Sequence, residues 1–290
     1  NVTTMATTWH TVATRDVALL KRQMDIVNTL PKEYVFLNYL RCHDDIGWGL
    51  DYRWLKEAKD MEEVPHKKYL NDYLTGKWPG SYARGELYND DPVSKDARLC
   101  GTTASLCGLE RALEEGNEEA IRQAVRFVQM LHGYMLVQSG IPVIYSGDEI
   151  GQLNDNAYHQ DPKKAKDSRY LHRGSFSWEK AELRKKEGSY QKEIFDCIRK
   201  MEALRAEHPV FLNEAAVWTA DTYDTAMLCV NRTFGEEKLT ALFNFSNEER
   251  TAWINEEGMY VDLISGERME ARAVKLLPYG MRWLLREQSV

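Results

Sequence analysis

The sequence predicts an α/β protein, in which helices and buried strands alternate up to about residue 207, followed by a separate antiparallel β region. Three observations carry that prediction. Apolar residues recur at helical spacing in several long stretches, two short apolar runs between them end in acidic residues, and beyond His208 the pattern shifts to short β-rich runs separated by Gly, Asn, Glu and Pro.

From Ala13 to about Leu30, Val17, Leu19, Leu20, Met24, Ile26 and Val27 fall at helical spacing and Pro31 closes the run, which predicts a helix. Residues 34–41, within "YVFLNYLRCHDDIGWGL", carry aromatic and branched side chains on both faces, which predicts a strand buried on both sides. Gly47 to Asp96 shows no clean period and is rich in Trp, Tyr, Asp, Lys and Gly, the mark of a functional excursion or small subdomain. Residues 97–113 and 117–138 read as helices, the second opening with acidic residues that suit a helix N-terminus. Gly140 ends that helix, Ile141 to Tyr145 reads as a short buried strand, and Asp148 and Glu149 follow it. Residues 188–206 predict one more helix. This order is the grammar of a parallel α/β sheet or barrel. Runs such as "DTAMLCVNRT", "KLTALFNFS" and "GMRWLLRE" then predict an antiparallel β domain over 208–290.

Composition narrows the partners. Hydrophobic residues make up 43% and charged residues 29% of the 290, enough for a large core and a smaller one. A formal net charge of -7 offers no basic footprint for a phosphate backbone, so no nucleic-acid partner is expected. No apolar run is long enough to span a bilayer, and "NVTTMATTWH" lacks the basic and apolar regions of a signal peptide, so no membrane partner is expected. The five cysteines are odd in number and form no CxxC pair, which predicts a reduced, cytoplasmic protein without a disulfide framework or zinc cage. Asn1, Asn231 and Asn244 open Asn-X-Ser/Thr triplets, but no secretion signal accompanies them.

Chemistry is expected where the two strands end. In α/β barrels the C-terminal strand ends converge on one face, and both strands here deliver acids there. Two readings of Asp44 and Asp45 stand. They cap the next segment or pair with Arg41 and Lys56, or they form with His43 a site beside a core, where charge is costly unless paired or useful. Arg84 in "GSYARGE" and Arg169 in "KDSRYLHRG" are either surface residues or bidentate clamps reaching those acids. A His-Asp pair also suits a metal phosphohydrolase, but the remaining histidines are scattered and show no HExxH spacing, so neither metal nor cofactor is expected.

Five stretches, "ATTWHTVATRDVALL", "NYLRCHDDIGWGL", "GSYARGELYN", "GIPVIYSGDEIGQLND" and "YHQDPKKAKDSRYLHRG", resemble in that order the C-terminal half of amylosucrases within the α-amylase family of glycoside hydrolases. The resemblance implies the C-terminal part of a (β/α)8 TIM barrel over 1–207 that acts on α-glucosides with retention, followed by a C-terminal β-sandwich over 208–290. It makes 34–41 the seventh barrel strand, 141–145 the eighth, and 46–96 the subdomain inserted after strand seven. It implies Asp44 as the carboxylate that stabilises the oxocarbenium-like transition state, His43 as a hydrogen-bond donor to the glucosyl ring, Asp45 and Arg84 as a pocket-wall pair, and Arg169 as an arginine closing the pocket's far end. Such a pocket admits one glucosyl unit and favours sucrose over an α-glucan as donor.

A retaining glycosidase needs two carboxyl groups roughly 5 Å apart, a nucleophile and an acid/base. No acid-bearing segment of that kind precedes residue 34, and the "SGDE" segment of the family shapes the barrel's end, which leaves Glu149 a poor substitute. The chain is therefore expected to be part of a longer glucosyltransferase or hydrolase, inactive alone, and to associate with the missing N-terminal half of the barrel. The alternative is a non-catalytic carbohydrate-binding or assembly module, in which Trp48, Trp54 and Trp78 stack on sugars; they equally suit packing of the subdomain.

Overall fold

The computed structural model describes residues 1–254 and 256–287. Two helices open the chain, α1 (Val2–Thr14) and α2 (Ala18–Asn28), where the sequence predicts one helix from Ala13 to Leu30. The six threonines of the first fourteen residues hid the first of them, because β-branched residues read poorly as helix. Thr7, Thr8, Thr11 and Thr14 each turn the hydroxyl back onto the carbonyl four residues earlier, which removes their competition with the helix ladder. Arg15 then adopts the left-handed conformation at φ 57° and closes α1, and Asp16 caps the amide of Ala18.

The strand expected over 34–41 is reduced to β1 (Leu37–Asn38), and that expected over 141–145 to β5 (Ile141–Pro142). They pair in parallel, Leu37 opposite Ile141. Neither run is buried on both faces as expected: Tyr34, Val35, Leu37, Ile141 and Val143 are exposed, because a two-stranded pair has open edges and one uncovered face. Among the described residues no further parallel strand joins this pair, and no closed barrel forms.

Between them lie β2 (Ile46–Gly47), α3 (Tyr52–Lys59), α4 (Glu63–Leu74), β3 (Glu86–Tyr88) and β4 (Arg98–Cys100). The three strands form an antiparallel sheet in the order β2-β4-β3, so β4, expected to be helical, is its centre. Short helices α5 (Thr103–Leu106) and α6 (Leu109–Glu115) follow, separated at Gly108, whose φ is 90° and where an added Cβ would lie 2.6 Å from the Tyr82 Cβ, leaving no room for a side chain. The long helix α7 (Glu118–Val137) is capped by Asn117 and carries two glutamates in its first turn. A short α8 (Trp178–Glu182) precedes α9 (Tyr190–Glu207), which packs beside α7.

The remaining strands are β6 (Ala216–Ala220), β7 (Met227–Phe234), β8 (Glu237–Asn244), β9 (Arg250–Trp253), β10 (Met259–Asp262), β11 (Arg268–Glu270), β12 (Ala273–Leu276) and β13 (Met281–Arg286). They form two antiparallel sheets, β11-β10-β13-β8-β7-β6 and β12-β9. Period-two alternation explains their placement. Leu228, Val230, Ala241, Phe243 and Trp283 face the main core with Tyr134 of α7, while Met227, Cys229, Leu242 and Leu284 face a second core with Ala252, Val274 and Leu276. The β region thus packs directly against the helices through its larger sheet.

Candidate functional site

The segment after β1 descends into a buried ionic network and then emerges at the surface. Arg41 and Asp148 are both 2% exposed, and Arg41 Nε and Nη2 each lie 2.9 Å from Asp148 Oδ1. Thr103 donates to Asp148 Oδ2 at 2.8 Å, Arg41 Nη1 donates to the His172 carbonyl at 3.2 Å, and the guanidinium lies 4.3 Å from the Tyr145 ring centre. Every charge buried here therefore has a partner. The Gly101 amide donates to His172 Nδ1 at 3.1 Å, which leaves the imidazole proton on Nε2, facing the His43 carbonyl at 3.3 Å. Burial, with the charge of Arg41, lowers the His172 pKa to about 4.

Above this base stand His43, Asp44 and Asp45, in the short link from β1 to β2. The His43 carbonyl also accepts from Arg173 Nε at 2.5 Å. Asp44 Oδ1 accepts from Arg169 Nη1 at 3.2 Å and Arg173 Nη2 at 3.4 Å, and its amide donates to Cys42 Sγ at 3.4 Å. The Asp44 side chain remains 54% exposed, with His43 Nε2 3.9 Å from its Oδ2. Arg169 is itself held by two 2.8 Å bonds to Asp167 and lies over Tyr88, 4.9 Å from the ring centre. That pairing lowers the Asp167 carboxyl pKa and raises that of the guanidinium. The product is a rim of acids held by arginines above a buried ionic base, with the Asp44 carboxylate open to solvent.

The residues expected to form the site are brought together in part. His43, Asp44 and Arg169 meet. Asp45 lies beside them in sequence, but its carboxylate is 3.7 Å from Arg98 Nε. Arg84 bonds Glu114 at 2.6 Å rather than Asp45. Asp44 and Asp45 pair with neither Arg41 nor Lys56, since Arg41 holds Asp148 and Lys56 holds Asp60 and Glu62. Glu149 folds back onto the Gly147 amide at 2.7 Å. Arg173 and Arg98 were missed. Arg173 stands four residues after Arg169 in the quoted segment, a spacing that pointed to a second arginine on the same turn. Trp48 is buried and donates to Asn71, whereas Trp78 is partly exposed and packs edge-on against Tyr69. Among the described residues no group of three or more His, Cys, Asp or Glu gathers as a metal ion requires, and no helix is long and apolar enough to cross a membrane.

Residues 229–285 match the family described as beta-galactosidase C-terminal domain, which corresponds to the strands from β7 to β13. A cyclomaltodextrinase of Geobacillus thermopakistaniensis is 29% identical over 163 residues, 54% of this chain and 24% of that protein. The structure of an α-amylase from Geobacillus thermoleovorans, complexed with acarbose, superposes with a TM-score of 0.54 at 14% identity, covering 99% of this chain and 47% of that one. A trehalose-6-phosphate hydrolase from Bacillus licheniformis gives a TM-score of 0.44 at 19% identity, covering 56% of this chain and 39% of that one. The chain thus spans less than half the length of each of these proteins. In sequence through the cyclomaltodextrinase and in fold through the α-amylase, the chain is similar to the α-amylase family of glycoside hydrolases.

Proposed function

We propose that this chain supplies one corner of a retaining α-glucosidase or glucosyltransferase site, with Asp44 as the carboxylate that stabilises the transition state. The observation that carries this reading is the solvent-facing Asp44 carboxylate at the end of a parallel strand, fixed by Arg169 and Arg173. Positive charge developing over the ring oxygen and anomeric carbon is favoured by a carboxylate that is already ionised and oriented. His43 donates to a sugar hydroxyl from the same turn. Arg169, Asp45 and Arg84 serve as pocket residues, Asp45 from the Arg98 pair and Arg84 from the Glu114 pair.

A general acid needs a raised pKa, whereas the neighbouring Asp167 is lowered by Arg169. On this reading the nucleophile and the acid/base come from other strands. The open edges of the β1–β5 pair and the exposed Tyr34, Val35, Leu37 and Ile141 are where such strands would add, completing a (β/α)8 barrel from the part in 1–207. Sucrose is the proposed donor, in keeping with the resemblance to amylosucrases and with Arg169 and Arg173 both bonded to one oxygen of Asp44; an α-glucan is the competing donor.

The purified chain is mixed with sucrose or maltotriose, free fructose and glucose are followed, and binding of each sugar is titrated calorimetrically. Expected are no release, and binding that Asp44→Asn weakens at least tenfold. Sugar binding indifferent to Asp44→Asn would point to a binding module and sink the assignment. Release abolished by Asp44→Asn would show that the chain carries its own acid pair.

A further inference from the structure

Arg15 closes α1 with its guanidinium half-buried at the junction between the helices and the β region. Its Nη1 donates to the Asn247 side chain at 2.7 Å, and its other electrostatic neighbours are the hydroxyls of Tyr73, Tyr69 and Tyr279. Asn247 carries no charge, and burial holds the Tyr69 and Tyr279 phenols above their ordinary pKa. No carboxylate pairs with Arg15 among the described residues, although most other arginines in this chain have one. A guanidinium partly withdrawn from water without a counter-charge is a standing attraction for an anion.

A cavity of about 260 Å³ opens beside it, walled by Tyr73, Tyr82, Asn117, Gln123 and Asn247 and floored by Phe127 and Tyr279, which stack with ring centres 4.0 Å apart. The single carboxylate on its wall, Glu119, is engaged by Arg122 at 2.9 Å and by Gln123 at 3.1 Å, so it does not neutralise Arg15. None of the residues around Asp44 lines this space. We propose that the cavity binds a small polyhydroxylated anion, a hexose phosphate or sugar acid, whose charged group pairs with Arg15 and whose hydroxyls meet the amide and phenol side chains of the wall. A volume of about 260 Å³ suits a single sugar unit with its charged group. Because the wall joins α1, α7 and the Asn247 and Tyr279 turns of the β region, occupancy ties these elements together.

The test is a titration of the full chain at pH 7 with glucose 6-phosphate, gluconate, inorganic phosphate and glucose, followed by amide NMR shifts and thermal denaturation. Both sugar anions should raise the melting temperature and shift the Asn247 and Gln123 side-chain amides, phosphate more weakly, and glucose not at all. Response to one sugar anion alone would name phosphate or carboxylate as the group bound. Arg15→Gln should weaken binding at least tenfold. Gln123→Glu, a same-size change that sets a carboxylate in the wall, should do the same and keeps the test decisive if Arg15→Gln fails to fold. Asp44→Asn should leave the affinity unchanged, so a failure of the proposed function does not affect the outcome. Absence of response to either sugar anion, equal response to glucose, or binding lost in Asp44→Asn but retained in Gln123→Glu would overturn the proposal.

Discussion

Arg41 and Asp148 hold the base of the candidate site through two buried charges that satisfy one another, and such a pair is far costlier to halve than to replace. Asp148→Ala should therefore destabilise the chain by about 3–5 kcal/mol, leaving the Arg41 guanidinium and the Thr103 hydroxyl without their acceptor. Joining Arg41→Met to Asp148→Leu should recover much of that loss in urea denaturation; equal cost for the single and double variants would show that the pair is not what stabilises the base. A second residue-scale prediction concerns pH. His10 is buried beside His66, ring centres 5.0 Å apart, and among the described residues neither of its ring nitrogens has a hydrogen-bond partner. Burial first, then His66, lowers its pKa from the ordinary 6.5 to about 3. The folded state therefore refuses a proton that the unfolded state takes up below about pH 6.5, so stability is intact above that pH and falls as the pH drops toward the folded value. By pH 4 the loss from this group is roughly 3 kcal/mol. His10→Phe should flatten the urea midpoint between pH 6.5 and 4, and an unaltered pH slope would remove His10 as its cause.

At the scale of elements, the β1–β5 pair depends on a glycine. Gly140 sits at φ 108°, and an added Cβ would lie 2.3 Å from the Phe36 carbonyl, the same oxygen that accepts from the Ile141 amide at 2.8 Å. Gly140→Ala should cost about 1–3 kcal/mol in backbone strain alone and should expose the Ile141 amide to faster hydrogen exchange; unchanged exchange would mean that the parallel pair tolerates the shift. The reasons that some elements were legible and others were not are local. The period of α7, with Asn117 and two glutamates at its start, and the alternation of β7 and β8 are complete within their own residues. The helix α1 was hidden because its threonines satisfy themselves through hydroxyl bonds that no propensity records. The extent of β1 and β5 was overstated because a strand's length is set by its partners, and apolarity alone cannot show them. At the site, strand-end acids singled out His43 and Asp44, but Arg98 reached Asp45 from a strand read as helix, and Arg84 turned to Glu114 on α6.

Across the whole molecule, the helical and β regions are joined by a core and by one buried cation. Arg232 of β7 is fully buried and donates to the carbonyls of Val210 at 2.7 Å, Val137 at 2.7 Å and Leu212 at 2.8 Å, so it closes the C-terminus of α7 against the β region. Arg205 binds the next carbonyls of the same turn, Gln138 at 3.2 Å and Gly140 at 2.8 Å. Burial, with the charge of Arg205, lowers the Arg232 pKa to about 9, which leaves it charged at pH 7. Helix C-termini favour cations, and two buried carbonyls and one part-buried carbonyl that lose a charged donor each forfeit about 1 kcal/mol or more. Arg232→Met keeps most of the stem's packing and removes those donors, so it should destabilise the chain by roughly 3–5 kcal/mol. Because Trp283 of the larger sheet packs in the core shared with Tyr134 of α7, tryptophan fluorescence and far-ultraviolet dichroism should report a single urea transition in the parent chain, displaced together to lower urea in the variant. Two separated transitions in the parent would show that the regions unfold independently despite the shared core. An Arg232→Met midpoint equal to the parent's would show that water replaces the guanidinium at the α7 terminus at no net cost.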